Sequence, residues 1–388
     1  MKRIAILTSG GDAPGMNAAI RAATLIGRAA GAEVLGIERG YRGLLDDAFV
    51  PLGAADVAGI LREGGTILGS ARCKEFHERA VRDRARAILA AREVDGLLVI
   101  GGNGSLTGAS HLADPAEIGG GRPLAIVGVP ASIDNDLGLT GLSIGVDTAM
   151  NTIVEACDKI ADTATAHDRT FIVEVMGRDC GYLAMTSAIA VGADLALFPE
   201  AGKPEGQIVD QIVETVLAIR AKQRRARKVI VIKAEGVNIA VDKLKTLVDA
   251  RLRERAPNAE PSAVEGSGSA GARSDAPHRE DSIETRVTVL GHVVRGGRPS
   301  AFDRLLGSRL ANVAVRALAA GQSHKMAAWM PPVELPGHLA TRSPADPYCW
   351  LVDLAAVLAE TQNLLTGKSA LARWRAGAFE QIEDALLL

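Results

Sequence analysis

Short, unbroken apolar runs that end in glycine-rich turns constrain this chain more than any other feature. Ile4–Leu7 runs into Thr8-Ser9-Gly10-Gly11-Asp12, and Leu97–Ile100 runs into Gly101-Gly102-Asn103-Gly104-Ser105. Ala125–Val129 leads to Pro130-Ala131-Ser132, and Phe171–Val175 leads to Met176-Gly177-Arg178. Val229–Ile232 and Val287–Leu290 look like further strands. Unbroken runs are expected of strands buried on both faces. Longer helical patterns, such as Met16 to Ala30, alternate with them. The pattern predicts an α/β fold with mostly parallel sheets. Ligands of such sheets sit beyond the carboxyl ends of the strands, where all these glycine-rich turns fall.

Composition narrows the function classes. At 388 residues the chain is long enough for two or three domains. Its 44 Lys+Arg and 46 Asp+Glu give a net charge of −2, which argues against nucleic acid or an anionic membrane as the main partner. Aromatics at 3% argue against base-stacking platforms. The four cysteines, Cys73, Cys157, Cys180 and Cys349, are far apart, a spacing that supports neither a zinc site nor a disulfide framework. Met1-Lys2-Arg3 enters an apolar run too short for a signal peptide, and no uncharged run approaches a membrane span. The expectation is a reduced, cytoplasmic protein. Ala256–Arg279, with Gly266-Ser267-Gly268-Ser269 at its centre, reads as a mobile surface insertion. Leu351–Leu388 reads as helical and amphipathic, a packing or oligomer helix.

Five stretches carry chemistry, and each taken singly also has a purely structural reading. Gly10–Gly15 after a strand lets the backbone approach a ligand, and the helix that follows offers free N–H groups to an anion. It is neither a Walker A loop nor a GxGxxG fingerprint, and a plain turn is the alternative. Gly101–Ser105 suits a phosphate cradle, with Asn103 a ligand for metal or water. Asp134 and Asp136, two residues apart, repel unless a cation or arginine lies beside them; an Asx turn is the alternative. Arg178 follows a buried strand and suits phosphate, or else a surface ion pair. Arg286, His292 and Arg295 around one strand suggest a dianionic sugar phosphate.

Taken together, TSGGDAPGMNAAIR, GGTILGSAR, IGGNGS, SIDND, VEVMGR and TVLGHVVRGG, in this order from Lys2 to about Asp303, resemble the 6-phosphofructokinase family. The resemblance implies transfer of a phosphoryl group from MgATP to fructose 6-phosphate, giving fructose 1,6-bisphosphate and ADP. It implies Asp134 as the base for the sugar 1-hydroxyl, with Ser132 and Asp136 at the transfer point and Arg72 and Arg178 stabilising charge. Gly11, Tyr41, Arg72, Cys73, Gly102, Asn103, Gly104, Ser105 and Gly108 are implied at the nucleotide, and Asn103 and Asp136 at Mg²⁺. Met176, Gly177, Arg178, Glu235, His292 and Arg295 are implied at the sugar phosphate. Arg169 and Arg286 are implied to reach across from a neighbouring subunit, so the resemblance predicts a homo-oligomer, usually a tetramer, with a dimer the alternative.

Two positions point to ATP rather than pyrophosphate within the family: Gly104, where pyrophosphate users carry Asp, and Ala131, where they carry Lys. Asn103 departs from the Asp of better-studied bacterial members; an oxygen ligand stays and a charge is lost. Arg21 matches the bacterial effector-site cations, whereas Leu25, Ala54 and Ala161 replace arginines, so little regulation by ADP or phosphoenolpyruvate is expected. The alternatives are a pyrophosphate-dependent or sedoheptulose-7-phosphate-active relative and a non-catalytic sugar-phosphate sensor. The family fold implies two three-layer α/β domains with mostly parallel sheets and the active site in the cleft between them. The nucleotide domain would take 1–145 and about 294–345, the sugar domain 146–293 with the 256–279 insertion. Residues 346–388 would be a helical extension packing on the core or on the oligomer interface.

Overall fold

A computed structural model describes residues 1–114, 116, 124–222, 228–255, 285–330, 340–344 and 346–386. The expected insertion at 256–279 lies outside the described residues. Two compact units divide the chain: Met1–Thr152 with His292–Arg373, and Ile153–Gly291 with Trp374–Leu388. No helix among the described residues is long and apolar enough to cross a membrane.

The first unit holds strands β1 (Arg3–Ser9), β2 (Glu33–Ile37), β3 (Phe49–Pro51), β4 (Gly96–Gly101), β5 (Ala125–Pro130), β10 (Lys325–Trp329), β11 (Ala340–Arg342) and β12 (Cys349–Asp353). They form one sheet in the order β11-β12-β10-β5-β4-β1-β2-β3. The centre is parallel, with Ala5 opposite Leu97 and Leu97 opposite Ile126. Only the outer strands β3, β11 and β12 pair antiparallel. Helices α1 (Met16–Ala29), α2 (Gly40–Leu45), α3 (Arg79–Ala91) and α4 (Asn103–Ala113) follow their strands. Ile4–Leu7 and Leu97–Ile100 are at most 2% exposed, as a sheet covered on both faces requires.

The chain enters the second unit within α5 (Val146–Ala166). There β6 (Thr170–Val175), β7 (Leu195–Leu197), β8 (Val229–Ala234) and β9 (Thr285–Val289) form a parallel sheet in the order β7-β8-β6-β9. Helices α6 (Tyr182–Val191), α7 (Glu205–Lys222) and α8 (Val241–Arg255) connect them. β8 is buried throughout although it contains Lys233. The Lys233 ammonium sits 2.8 Å from Glu174 on β6, its partner in register, and also donates to the Ala234 carbonyl.

Back in the first unit, α9 (Ala301–Ala319) packs on α1, and Gly307 allows the approach: a side chain there would meet the Gly15 carbonyl at 2.9 Å. Asp303 at its first turn is fully buried and accepts from the Gly145 N–H, the Thr148 N–H and the Thr148 hydroxyl at 2.6–2.8 Å. Burial pushes this carboxyl above the usual range, and those three donors pull against the rise.

Residues 346–388 do not form a purely helical extension. Cys349–Asp353 is a buried strand between β10 and β11, and helices α10 (Leu354–Leu365) and α11 (Ala370–Leu386) follow. The helix begins at Leu354, three residues later than a continuous helical reading from Leu351 requires, because Asp353 is an N-cap. Its carboxylate accepts from the Ala355 and Ala356 N–H groups. The bulky run Cys-Trp-Leu-Val before it suits a strand buried on both faces.

Candidate active site

Three neighbouring parallel strands, β1, β4 and β5, deliver their carboxyl ends to one cavity of about 410 Å³ within the first unit. Its size falls within the usual range for small-ligand pockets. After β1 the chain turns at Gly10, with φ 85°, and Gly15, with φ 110°. Neither conformation suits a residue with a side chain. After β4, Gly101 lies so close to β1 that a Cβ would meet the Ser9 carbonyl at 2.5 Å. α4 starts at Asn103, so its unpaired N–H groups open onto the cavity. Gly104 is exposed there, and a Cβ on it would meet nothing within 4 Å.

One wall is aromatic. Tyr41 and Phe76 stack with centroids 4.1 Å apart, and the Tyr41 hydroxyl donates to the Ser105 carbonyl at 2.6 Å. Burial pushes the phenol far above its usual pKa, so it stays a donor. Gly108 leaves room for that ring, since a Cβ would come within 2.9 Å of it. The GGTILGSAR segment is pinned to the first turn: Ser70 Oγ donates to the Gly10 carbonyl at 2.6 Å and Thr8 Oγ1 to the Gly69 carbonyl at 2.8 Å. That places Arg72 and Cys73 at the cavity.

The loop after β5 supplies the acids. Ser132 Oγ donates to Asp136 Oδ1 at 2.7 Å, and Asp134 and Asp136 both line the cavity. Asn135 between them is buried at φ 50°. Its amide donates to the Gly141 carbonyl at 3.0 Å and accepts from the Ser143 N–H at 3.1 Å. These two bonds tie the turn between the flanking carboxylates to the segment that follows it.

Thirteen residues expected at a site line this cavity: Gly11, Tyr41, Arg72, Cys73, Gly102, Asn103, Gly104, Ser105, Gly108, Ser132, Asp134, Asp136 and Arg295. Arg295 was expected with the sugar-phosphate set. Its guanidinium lies over Gly11, where a Cβ would be 2.5 Å from Nη1, and it donates to the Asp12 carbonyl at 3.4 Å. Lys74, Phe76, His77, Thr107 and His111 also line the cavity and were not singled out from the sequence. The i, i+4, i+8 spacing of Asn103, Thr107 and His111 on α4 was the available signal.

Arg169, Met176, Gly177, Arg178, Glu235, Arg286 and His292 do not line it. All but His292 belong to the second unit, where they form two groups. Met176, Gly177 and Arg178 follow β6 and Glu235 follows β8, laced by Glu235 N–H to Val175 carbonyl at 2.8 Å and Gly236 N–H to Gly177 carbonyl at 3.1 Å. Gly236 is obligatory there, because a Cβ would lie 1.8 Å from the Arg178 carbonyl. Arg169 precedes β6, and Arg286 stands opposite Phe171 near the start of β9. These two arginines therefore sit at the other end of the sheet from Arg178 and Glu235.

Glycine turns at three parallel strand ends, with paired acids at their edge, suit a phosphoryl-transfer type of α/β protein. The family model described as "Phosphofructokinase" matches residues 3–318, and the chain belongs to that family. It is 43% identical over 332 residues to an ATP-dependent 6-phosphofructokinase of Thermotoga neapolitana, covering 84% of this chain and 90% of that one. A Brevibacillus brevis protein with the same description is 42% identical over 327 residues, covering 84% and 89%. Among solved structures, Pichia pastoris phosphofructokinase superposes with a TM-score of 0.79 at 33% identity, over 99% of this chain and 39% of that longer one. A pyrophosphate-dependent phosphofructokinase of Marinobacter aquaeolei, at TM-score 0.70 and 21% identity over 92% and 84%, shares the fold.

Proposed function

We infer that this protein transfers the γ-phosphoryl group of ATP to the 1-hydroxyl of fructose 6-phosphate, giving fructose 1,6-bisphosphate and ADP. The observation that carries the reading is Asp134 beside a glycine-lined cradle whose Gly104 is open. A nucleotide α-phosphate has room there, whereas an Asp would fill and charge that space. Ala131 at the same cavity is likewise small and neutral.

Phosphoryl transfer passes through a loose transition state, so positioning and charge stabilisation do most of the catalysis. In this reading the α4 N-terminus and the Gly11 and Gly102 backbone hold the phosphates, and Tyr41 and Phe76 form the wall beside the nucleotide. Asp134 accepts the hydroxyl proton as the oxygen attacks. Arg72 balances charge on the moving group, and Ser132 fixes one oxygen of Asp136.

The donor set fits a hard divalent cation, since the Asp136 carboxylate and the Asn103 amide are oxygen ligands. Mg²⁺ there would neutralise charge on the donor phosphates. In the second unit, Met176, Gly177, Arg178 and Glu235 would hold the sugar phosphate, together with His292. Arg169 and Arg286 lie at the opposite strand ends, which supports their serving a neighbouring subunit of a homotetramer. We place the protein in the cytoplasm.

The test is turnover of fructose 6-phosphate with ATP, GTP or pyrophosphate, with Asp134→Ala alongside. ATP-dependent product formation that the variant abolishes is expected; pyrophosphate as the better donor sinks the donor reading.

A further inference from the structure

The loop that carries Asp134 does not hold its shape unaided. Asn135 at φ 50° and Leu139 at φ 55° both lie in the left-handed region. Asn tolerates it, but a bulky Leu is an outlier that persists only where its surroundings impose it. Gly138, next to it, rests on the carboxy-terminal part of the chain, beyond the residues 3–318 that match the family model.

The contacts are specific. The Gly138 N–H donates to Thr361 Oγ1 at 2.9 Å, and that hydroxyl donates in turn to the Val357 carbonyl at 2.8 Å within α10. Thr361 is fully buried, so both capacities of the hydroxyl are used away from water. A Cβ at Gly138 would lie 2.7 Å from Glu360 Cβ and from the Thr361 N–H nitrogen, so the loop backbone rests directly on the helix. Leu137 and Leu139 pack into the core that Trp350, Leu354 and Val357 complete. Further along, the Gly141 N–H donates to the Trp329 carbonyl at 2.7 Å.

We propose that α10 is a positioning element for the catalytic base, with Thr361 as the residue that holds the Asp134 loop in its strained bend. This rests on the reading of Asp134 as the base. Thr361 does not line the cavity; it acts through Gly138, four residues beyond Asp134. Losing the bond lets the Leu139 bend relax and carries Asp134 off line, and catalysis is steeply sensitive to such displacement.

The experiment measures kcat, the KM values for ATP and fructose 6-phosphate, and Tm for the full chain and for Thr361→Val, Thr361→Ser, Gly138→Ala and Asp134→Ala. Thr361→Val keeps the shape and removes the hydroxyl. Its kcat should fall about tenfold, equivalent to one hydrogen bond of positioning, with KM for ATP within about twofold. Thr361→Ser should restore turnover. The proposal is overturned if Thr361→Val keeps kcat within about twofold of wild type, whatever its Tm, or if Thr361→Ser is equally impaired. If Thr361→Val does not fold, Gly138→Ala decides, because its Cβ pushes the loop off α10; full kcat there overturns the proposal. Turnover retained by Asp134→Ala overturns the base reading itself, whereas an inactive Asp134→Ala beside a fully active Thr361→Val overturns the positioning role alone.

Discussion

The two units present their candidate ligand groups by different means. In the first, the cradle is backbone: glycines at strand ends, a helix N-terminus, and side chains that mostly hold the turns in place. In the second, the candidate ligands are side chains, and Arg178, Glu235 and Arg286 are exposed at the ends of a four-stranded sheet. The backbone cradle is closed to an added atom at Gly11 and Gly101 and open at Gly104, and it needs little net charge. A side-chain set tolerates shape changes and depends on charge and on a rigid base beneath it. That base is the pair of buried Lys233 and half-buried Glu174, which joins β6 and β8 two residues before the candidate ligands begin.

The predictions test this contrast, largest effect first. Asp134→Ala should lower kcat by about 10²–10⁴-fold with an unchanged thermal transition, as general-base loss does. Lys233→Met leaves Glu174 without its cation and should cost about 3–5 kcal/mol of stability, read by denaturant unfolding. The double change Lys233→Met with Glu174→Leu should recover most of it. If instead it recovers stability and leaves KM for fructose 6-phosphate untouched, the pair matters for folding and not for the ligand base.

Gly101→Ala places a Cβ against Ser9 and Ser105 and should cost about 1–3 kcal/mol while raising KM for ATP. Wild-type stability and ATP affinity would falsify the backbone-cradle account. Gly104→Asp meets no steric barrier, so it should leave Tm alone and weaken ATP about tenfold by charge repulsion.

The smallest effect lies away from both sites. Asp346 is partly buried, which pushes its carboxyl up. The Arg309 hydrogen bonds, helped by the Tyr348 N–H, outweigh that and hold it below the usual range. A depressed carboxyl contributes stability above its unfolded pKa, near 4, and loses it as pH falls through the lower folded value. The gap between wild type and Asp346→Asn, about 1 kcal/mol at pH 7, should close in that acidic window without any change in kcat.

Much of the candidate site was legible in the sequence, because unbroken apolar runs hand glycines to strand ends. Asn103, Gly104, Asp134 and Asp136 were located this way. What stayed hidden depended on long-range packing. Arg295 reaches Gly11 from 284 positions along the chain, so nothing local ties it to this cavity. Lys233 reads as a break in an apolar strand until its register partner Glu174 is known. Phe76 follows Arg72 closely, but only its stack on Tyr41 makes it a wall.

By itself the sequence determined the α/β class, the family and the order of the phosphate turns, because burial on both faces and backbone approach impose local residue choices. Tertiary structure alone decided that Cys349–Asp353 is a strand and that α10 meets the Asp134 loop at Gly138. Those outcomes depend on which surfaces meet, and a hydroxyl at Thr361 has no meaning until Gly138 rests against it.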